Sequence, residues 1–167
     1  MSRQAPAPPR IWYTIMDSPF GPVCVAGAKA GLLRVDFQCG NRPVRPAAVW
    51  QEDSGLLRDA IRQLREYFRG QRQSFSLPLA PPGTPFQQRV WRELQRIPFG
   101  TTLTYRELAR RLGMPHAARA VGHANGRNPL AIVVPCHRLI GSDGRLRGYV
   151  GGIALKRRLL QHEGVQL

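Results

Sequence analysis

Apolar positions in this chain change their spacing partway along. Between residues 10 and 37 they come in short β-branched and aromatic runs cut by turn residues, a period near two that predicts strands at 10–16, 23–26 and 31–37. Asp17-Ser18-Pro19-Phe20-Gly21-Pro22 and Lys29-Ala30-Gly31 supply the reversals, so the three make a small antiparallel sheet. From Ser54 the spacing turns helical: Leu56, Leu57, Ile61, Leu64, Tyr67 and Phe68 repeat every three or four residues, and Gly70 stops the helix. Residues 75–79 read as an edge strand and Ala80-Pro81-Pro82-Gly83 as a linker, which divides the chain into 1–83 and 84–167.

The second half is patterned for helices. Thr84-Pro85-Phe86-Gln87 combines an N-cap, a proline at the first helical position and a capping-box glutamine, and opens a helix running to about residue 96. Thr104-Tyr105-Arg106-Glu107 is a second capping box, leading a short helix that Gly113 ends. A third helix, 116–125, is rich in small residues: Ala117, Ala118, Ala120, Gly122, Ala124. Two short helices around a glycine-containing turn read as a helix-turn-helix, whose second helix normally enters a DNA groove. A small-residue helix equally suits tight core packing. After the Asn128-Pro129 turn, Ile132-Val133-Val134 reads as a buried strand that Pro135 breaks, and Leu155, Leu159 and Leu160 mark a last helix at 153–162. The fold class is α/β in the mixed, α+β sense.

Composition adds a partner. The formal charge is +15, and all the basic residues but Lys29 and Lys156 are arginines, whose planar fork suits phosphate oxygens. Residues 1–83 hold 11 basic and 6 acidic side chains (+5) and residues 84–167 hold 14 and 4 (+10), so a nucleic-acid footprint belongs mainly to the second half. Cys24, Cys39 and Cys136 form no CxxC pair and leave one thiol over, which fits a reducing compartment. No apolar run approaches a membrane span, residues 1–9 read as a frayed tail without a signal core, and the expected location is the cytoplasm. No Cys/His spacing suits zinc, and no metal or cofactor is expected.

Cys136 is the candidate nucleophile. A free thiol ionises near pH 8.5 unless a base or cation lies beside it, and Cys136 is followed by His137 and Arg138. On a plain strand those neighbours point to opposite sides, so a turn after Pro135 or a water must join them. By itself, a cysteine after four apolar residues also reads as core. Cys24 reads as packing and Cys39 as a surface residue.

Pro135-Cys136-His137-Arg138 after an apolar run, Ala117-Ala118-Arg119-Ala120-Val121-Gly122 upstream and Asn128-Pro129 between them resemble the O6-alkylguanine-DNA alkyltransferases. The match runs in order from Thr84 to Gly164, with Thr104-Tyr105, Tyr149, Gly151-Gly152 and His162-Glu163-Gly164; over 1–83 it is looser, resting on the 18–22 turn and the end of the first helix. The resemblance implies an RNase H-like sheet with a helix, then a mostly helical domain with a winged-helix-like helix-turn-helix. It also implies single, irreversible transfer of an alkyl group from guanine O6 in double-stranded DNA to Cys136, with O4-alkylthymine as a second candidate substrate. The carried-over roles are His137 as base through a water, Glu163 as its orienting carboxylate, Tyr105 as donor toward the guanine, and Asn128 as brace of the loop. Tyr149, Val150 and the backbone at Leu139 would line the base pocket. Ala117, Ala118, Gly122 and Arg138 would meet DNA, and Arg119 would fill the stack vacated by a flipped base in the minor groove. Val150 departs from members with a small polar residue there. The expected state is a monomer.

Three other readings fit parts of the pattern. A non-enzymatic sensor of alkylated DNA would lack the cysteine; a regulator would use the helix-turn-helix alone; a cysteine hydrolase would turn over repeatedly and need an oxyanion hole.

Overall fold

The three strands expected near the N-terminus all form. In the computed structural model, which describes residues 9–39 and 43–167, they are β1 (Trp12–Met16), β2 (Val23–Ala28) and β3 (Gly31–Phe37), joined antiparallel. Nearly all of the expected tail and the start of the loop expected at 41–47 lie outside the described residues. A two-residue strand, β4 (Gln51–Glu52), pairs parallel with β1 and gives the order β3-β2-β1-β4. Two exposed polar residues carry no alternation, so the pattern held no sign of β4.

The edge strand expected at 75–79 reduces to one bridge between Leu79 and Leu32, with Leu32 N–H donating to Pro78 O at 2.8 Å and Ala80 N–H to Leu32 O at 2.9 Å. Its ladder cannot lengthen, because Pro78 has no N–H and the amide of Ser76 donates instead to the Gln63 side chain. α1 (Arg58–Phe68) turns Ala60, Ile61, Leu64, Tyr67 and Phe68 inward.

Both capping boxes form as read: Thr84 with Gln87 opens α2 (Pro85–Leu94), and Thr104 with Glu107 opens α3 (Tyr105–Arg111) after the short β5 (Leu103–Thr104). α4 (Ala118–Gly126) completes the helix-turn-helix, and Trp91 of α2 donates its indole N–H to Ala124 O at 3.0 Å, fixing α4 from behind. β6 (Leu139–Ile140) lies parallel to β5, and α5 (Ile153–His162) closes the chain. No helix among the described residues is long and apolar enough to cross a membrane.

One apolar core runs through both halves, from Val25 and Leu64 to Leu94, Leu130 and Leu159. A backbone seam joins them too: Val35 N–H donates to Pro129 O at 2.8 Å, and Ala131 N–H to Val35 O at 2.9 Å. The strand expected at 132–134 does not form. Val133 N–H folds back to Ala131 O at 2.8 Å, a γ-turn about Ile132, whose φ of 71° is unusual for a β-branched residue. A second turn about Pro135 (φ −79°, ψ 63°) brings Cys136 N–H to Val134 O at 2.8 Å. An apolar run cannot distinguish a strand from such a buried, folded segment.

Gly31 holds the 79–80 crossing. Its φ is +141°, and a Cβ there would stand 2.5 Å from Pro78 O. Gly31→Ala is therefore expected to lower stability by about 2 kcal/mol, read as a drop in the urea midpoint.

Candidate active site

The two turns lead into a single 3-10 turn, Cys136–Arg138, and it points three successive side chains into the interior. Asn128 braces the approach: its Oδ1 accepts from Leu130 N–H at 2.9 Å and its Nδ2 donates to Val134 O at 2.8 Å. Asn125, from α4, reaches the Cys136 carbonyl at 3.4 Å. The thiol is thus tied to the second helix of the helix-turn-helix.

Glu163, at the end of α5, is the hub beneath. His137 Nε2 lies 2.7 Å from Glu163 Oε1; Arg138 donates from Nε to Oε2 at 2.8 Å and from Nη2 to Oε1 at 3.0 Å. Tyr67 Oη donates at 2.8 Å and Gly100 N–H at 3.2 Å. Burial by itself raises the carboxyl pKa, but the hydrogen bonds from His137 and Arg138 and the Arg138 charge outweigh it and hold Glu163 well below the ordinary carboxylate range. Burial also dominates at His137 and keeps the imidazole neutral, overriding the pull of Glu163. A carboxylate only accepts, so Nε2 carries the proton. Nδ1 then holds a lone pair, and it has no protein partner.

Burial raises the Cys136 pKa above the ordinary thiol value, against the opposing Asn128 amide and Lys156 charge. Lys156 is fully buried on α5, donates to Arg147 O at 2.7 Å and lies 5.9 Å from the centre of the Tyr105 ring. Its own pKa falls to about 8, because burial penalises the ammonium, and at neutral pH it remains mostly a cation. The arrangement can hold a thiol, relieve it of a proton through a neutral imidazole, and stabilise the thiolate with a nearby cation.

Two adjoining cavities lie above the thiol. One of about 820 Å³ is bounded by Tyr105 and Arg106 of α3, Ala118, Arg119 and Gly122 of α4, and Arg147, Tyr149 and Val150 of the following loop. A smaller one of about 30 Å³ reaches Cys136 and is shared by Asn125, Asn128, Ala131, Tyr149 and Val150. The expected residues Cys136, Asn128, Tyr105, Tyr149, Val150, Arg119, Ala118 and Gly122 converge on these spaces, and His137 and Glu163 lie below. Ala117 sits at the start of α4, half-buried. Tyr149 keeps its ring partly open while its hydroxyl is buried without a protein partner.

Two expectations change. Arg138 cannot contact DNA: it is 5% exposed, and its remaining donor, Nη1, binds Ile97 O at 2.6 Å. The resemblance put it among the residues that meet DNA, but the 3-10 turn points it inward. Leu139 offers no free N–H to a base edge, because that amide closes the turn onto Cys136 O. Sequence reasoning missed Lys156, Asn125, Tyr67, Arg106 and Arg147. Lys156 alone left a signal, a lysine four residues before Leu160 inside the apolar stripe of α5.

Fold and site together define a helix-turn-helix protein built around a buried cysteine with a His-Glu relay. Two family models match in tandem, the ribonuclease-like domain of 6-O-methylguanine DNA methyltransferase over residues 11–81 and its DNA binding domain over 85–165. The chain belongs to the 6-O-methylguanine DNA methyltransferase family. A methylated-DNA--protein-cysteine methyltransferase of Methanosarcina barkeri is 50% identical over 92% of this chain and 97% of its own length. The counterpart from Mycobacterium tuberculosis is 47% identical over 92% of each. The crystal structure of the M. tuberculosis OGT in complex with DNA superposes with a TM-score of 0.84 at 46% identity, covering 91% of this chain and 92% of that one.

Two outcomes follow from the site. Both His137 and Glu163 have depressed folded-state pKa values, so each contributes stability that is present above its unfolded pKa and lost on acidification. Stability should fall below about pH 6.5 for the histidine and again below about pH 4.3 for the carboxylate. Glu163→Gln should remove the lower limb and cost about 3 kcal/mol at neutral pH, by leaving Arg138 buried and uncompensated, as urea titrations across pH would report. In Lys156→Met, the pH midpoint for alkylation of Cys136 by iodoacetamide should move upward.

Proposed function

We propose that this protein repairs double-stranded DNA by taking the alkyl group of O6-alkylguanine onto Cys136, once per molecule and irreversibly. The observation that carries it is the buried Cys136 thiol opening into a cavity beneath a basic helix-turn-helix face, above a neutral His137 held by Glu163. The thiol proton passes through a water to His137 Nδ1, and Glu163 stabilises the imidazolium that results. Sγ attacks the alkyl carbon in line, the S–C bond forms as the C–O6 bond breaks, and the electron pair stays with guanine. Tyr105 donates a proton to the departing base, which leaves as ordinary guanine, and the proton held on His137 is given up to water as Tyr105 regains one, so that the thiol proton is in balance the one guanine acquires. Lesion and thiol are themselves the donor and acceptor of the alkyl group, so the step needs no group-donating cofactor.

A base within a duplex cannot reach this cavity, so the nucleotide is flipped at a cost of roughly a few kcal/mol. Arg119, exposed on α4 at the cavity edge, fills the gap in the stack. Ala117, Ala118 and Gly122 present a low surface that suits the minor groove. Arg106 and Arg147, at the same mouth, are placed to hold phosphates. Tyr149 and Val150 flank the guanine. We assign DNA and thiol to the domain 84–167 and the bracing of its loop to 1–83. The protein acts as a monomer in the cytoplasm, a reducing setting that keeps its three free cysteines as thiols.

The test is mass spectrometry after mixing the protein with one equivalent of duplex carrying O6-methylguanine. One methyl on the Cys136 peptide and restored guanine, with no further turnover, are expected. An unmodified thiol with bound DNA would point instead to a sensor or regulator. Arg119→Ala should slow transfer from duplex by about tenfold while leaving transfer from single-stranded DNA nearly unchanged.

A further inference from the structure

The smaller cavity has a wall from the other half of the chain. Besides Asn128, Ala131, Cys136 and Tyr149, it is lined by Asp36 and Phe37 of β3. The seam explains why: Val35 is bridged to Leu130, so the next residue along each strand, Asp36 and Ala131, arrives at the same cavity. Asp36 is half-buried; burial raises its carboxyl pKa, and the Arg34 guanidinium that donates to its Oδ2 at 2.8 Å opposes that rise and favours the carboxylate. Among the described residues lining this cavity it is the one charged side chain. The wider cavity next to it is rimmed by Arg106, Arg119 and Arg147. The site is therefore basic at its mouth and carries one carboxylate in the wall of its inner cavity, with the buried Lys156 ammonium beneath.

At about 30 Å³ the inner cavity has room for a water or a methyl-sized group, and whatever Sγ accepts must come to rest beside Asp36. We propose that Asp36 is a specificity-determining residue that selects the charge of the alkyl group, disfavouring anionic O6 substituents and favouring neutral or cationic ones. A fixed carboxylate in a partly desolvated cavity repels a substituent carboxylate far more than it would in water. This inference rests on the alkyl-transfer reading, and it gives the N-terminal sheet a part in substrate choice.

The experiment times single-turnover transfer to Cys136 from duplexes bearing O6-methylguanine, O6-carboxymethylguanine or O6-(2-aminoethyl)guanine, with the wild type and Asp36→Asn. Asparagine keeps the volume and the acceptor for Arg34. Rates are compared as ratios to methyl, because removing a negative charge also eases ionisation of Cys136 and speeds all three. Asp36→Asn should raise the carboxymethyl-to-methyl ratio by roughly tenfold and lower the aminoethyl-to-methyl ratio, opposite signs that a change of shape would not give. Arg34→Gln, which leaves the carboxylate without its countercharge, should move both ratios the other way and serves where Asp36→Asn fails to fold. Ratios that stay put, or that move together, overturn the proposal. So does a variant that transfers methyl but neither charged group, since size then sets the limit. Absence of methyl transfer by the wild type would instead overturn the repair reading itself.

Discussion

The Glu163 carboxylate is where four parts of the chain are made to agree. It stands at the end of α5 and takes bonds from Tyr67 of α1, from the backbone after α2 at Gly100, and from His137 and Arg138 of the 3-10 turn. Burying an ionised carboxylate is expensive, and only a nearly complete set of donors offsets the cost. That demand has a structural consequence: displacing any one element strands a charge in the interior. The same bonds fix the tautomer and orientation of His137, so stability and chemistry depend on one set of contacts.

The second constraint is the backbone seam between β3 and the segment before the thiol. Its two hydrogen bonds lock Pro129 and Ala131 onto Val35, and Asn128 then ties the following turns from the inside. Between these braces the chain can hold Ile132 at positive φ, a conformation of order 1–3 kcal/mol above its preferred ones. The strain is local, and it turns what would be a straight strand into the bend that exposes Sγ to the cavity. Electrostatics follow the same division of labour: arginines of the helix-turn-helix half gather at the mouth, while the thiol lies deeper, where burial opposes its ionisation until a base and a cation act on it.

Much of this was legible in the residues. The three N-terminal strands, the apolar face of α1, both capping boxes and the last helix follow from short-range spacing and from side chains that bond their own backbone. Those signals lie within a few residues of what they determine. Cys136, His137 and Glu163 were legible through the motifs around them. Most of the assignments that changed depend on partners outside their own segment. The strand expected at 132–134 yielded to two γ-turns because its amides bond within the segment and its bracing comes from Asn128 and β3. The expected edge strand shrank to a bridge because Gln63 claims an amide and Pro78 offers none.

Arg138 marks the boundary most sharply. In sequence it is one more arginine in a strongly basic half, next to a reactive pair; in the fold it is a buried guanidinium with every donor type committed. Asp36 and Lys156 have the same history, ordinary charged residues until the fold sets one beside the cavity and the other beneath it. The sequence by itself determined the local elements, the basic character of the second half and the motif around Cys136, since these depend on side-chain type and near neighbours. Only the tertiary structure decided which charges are buried, which of them meet, and how the thiol faces its cavity, because those depend on contacts between residues as distant in the chain as Tyr67 and Glu163.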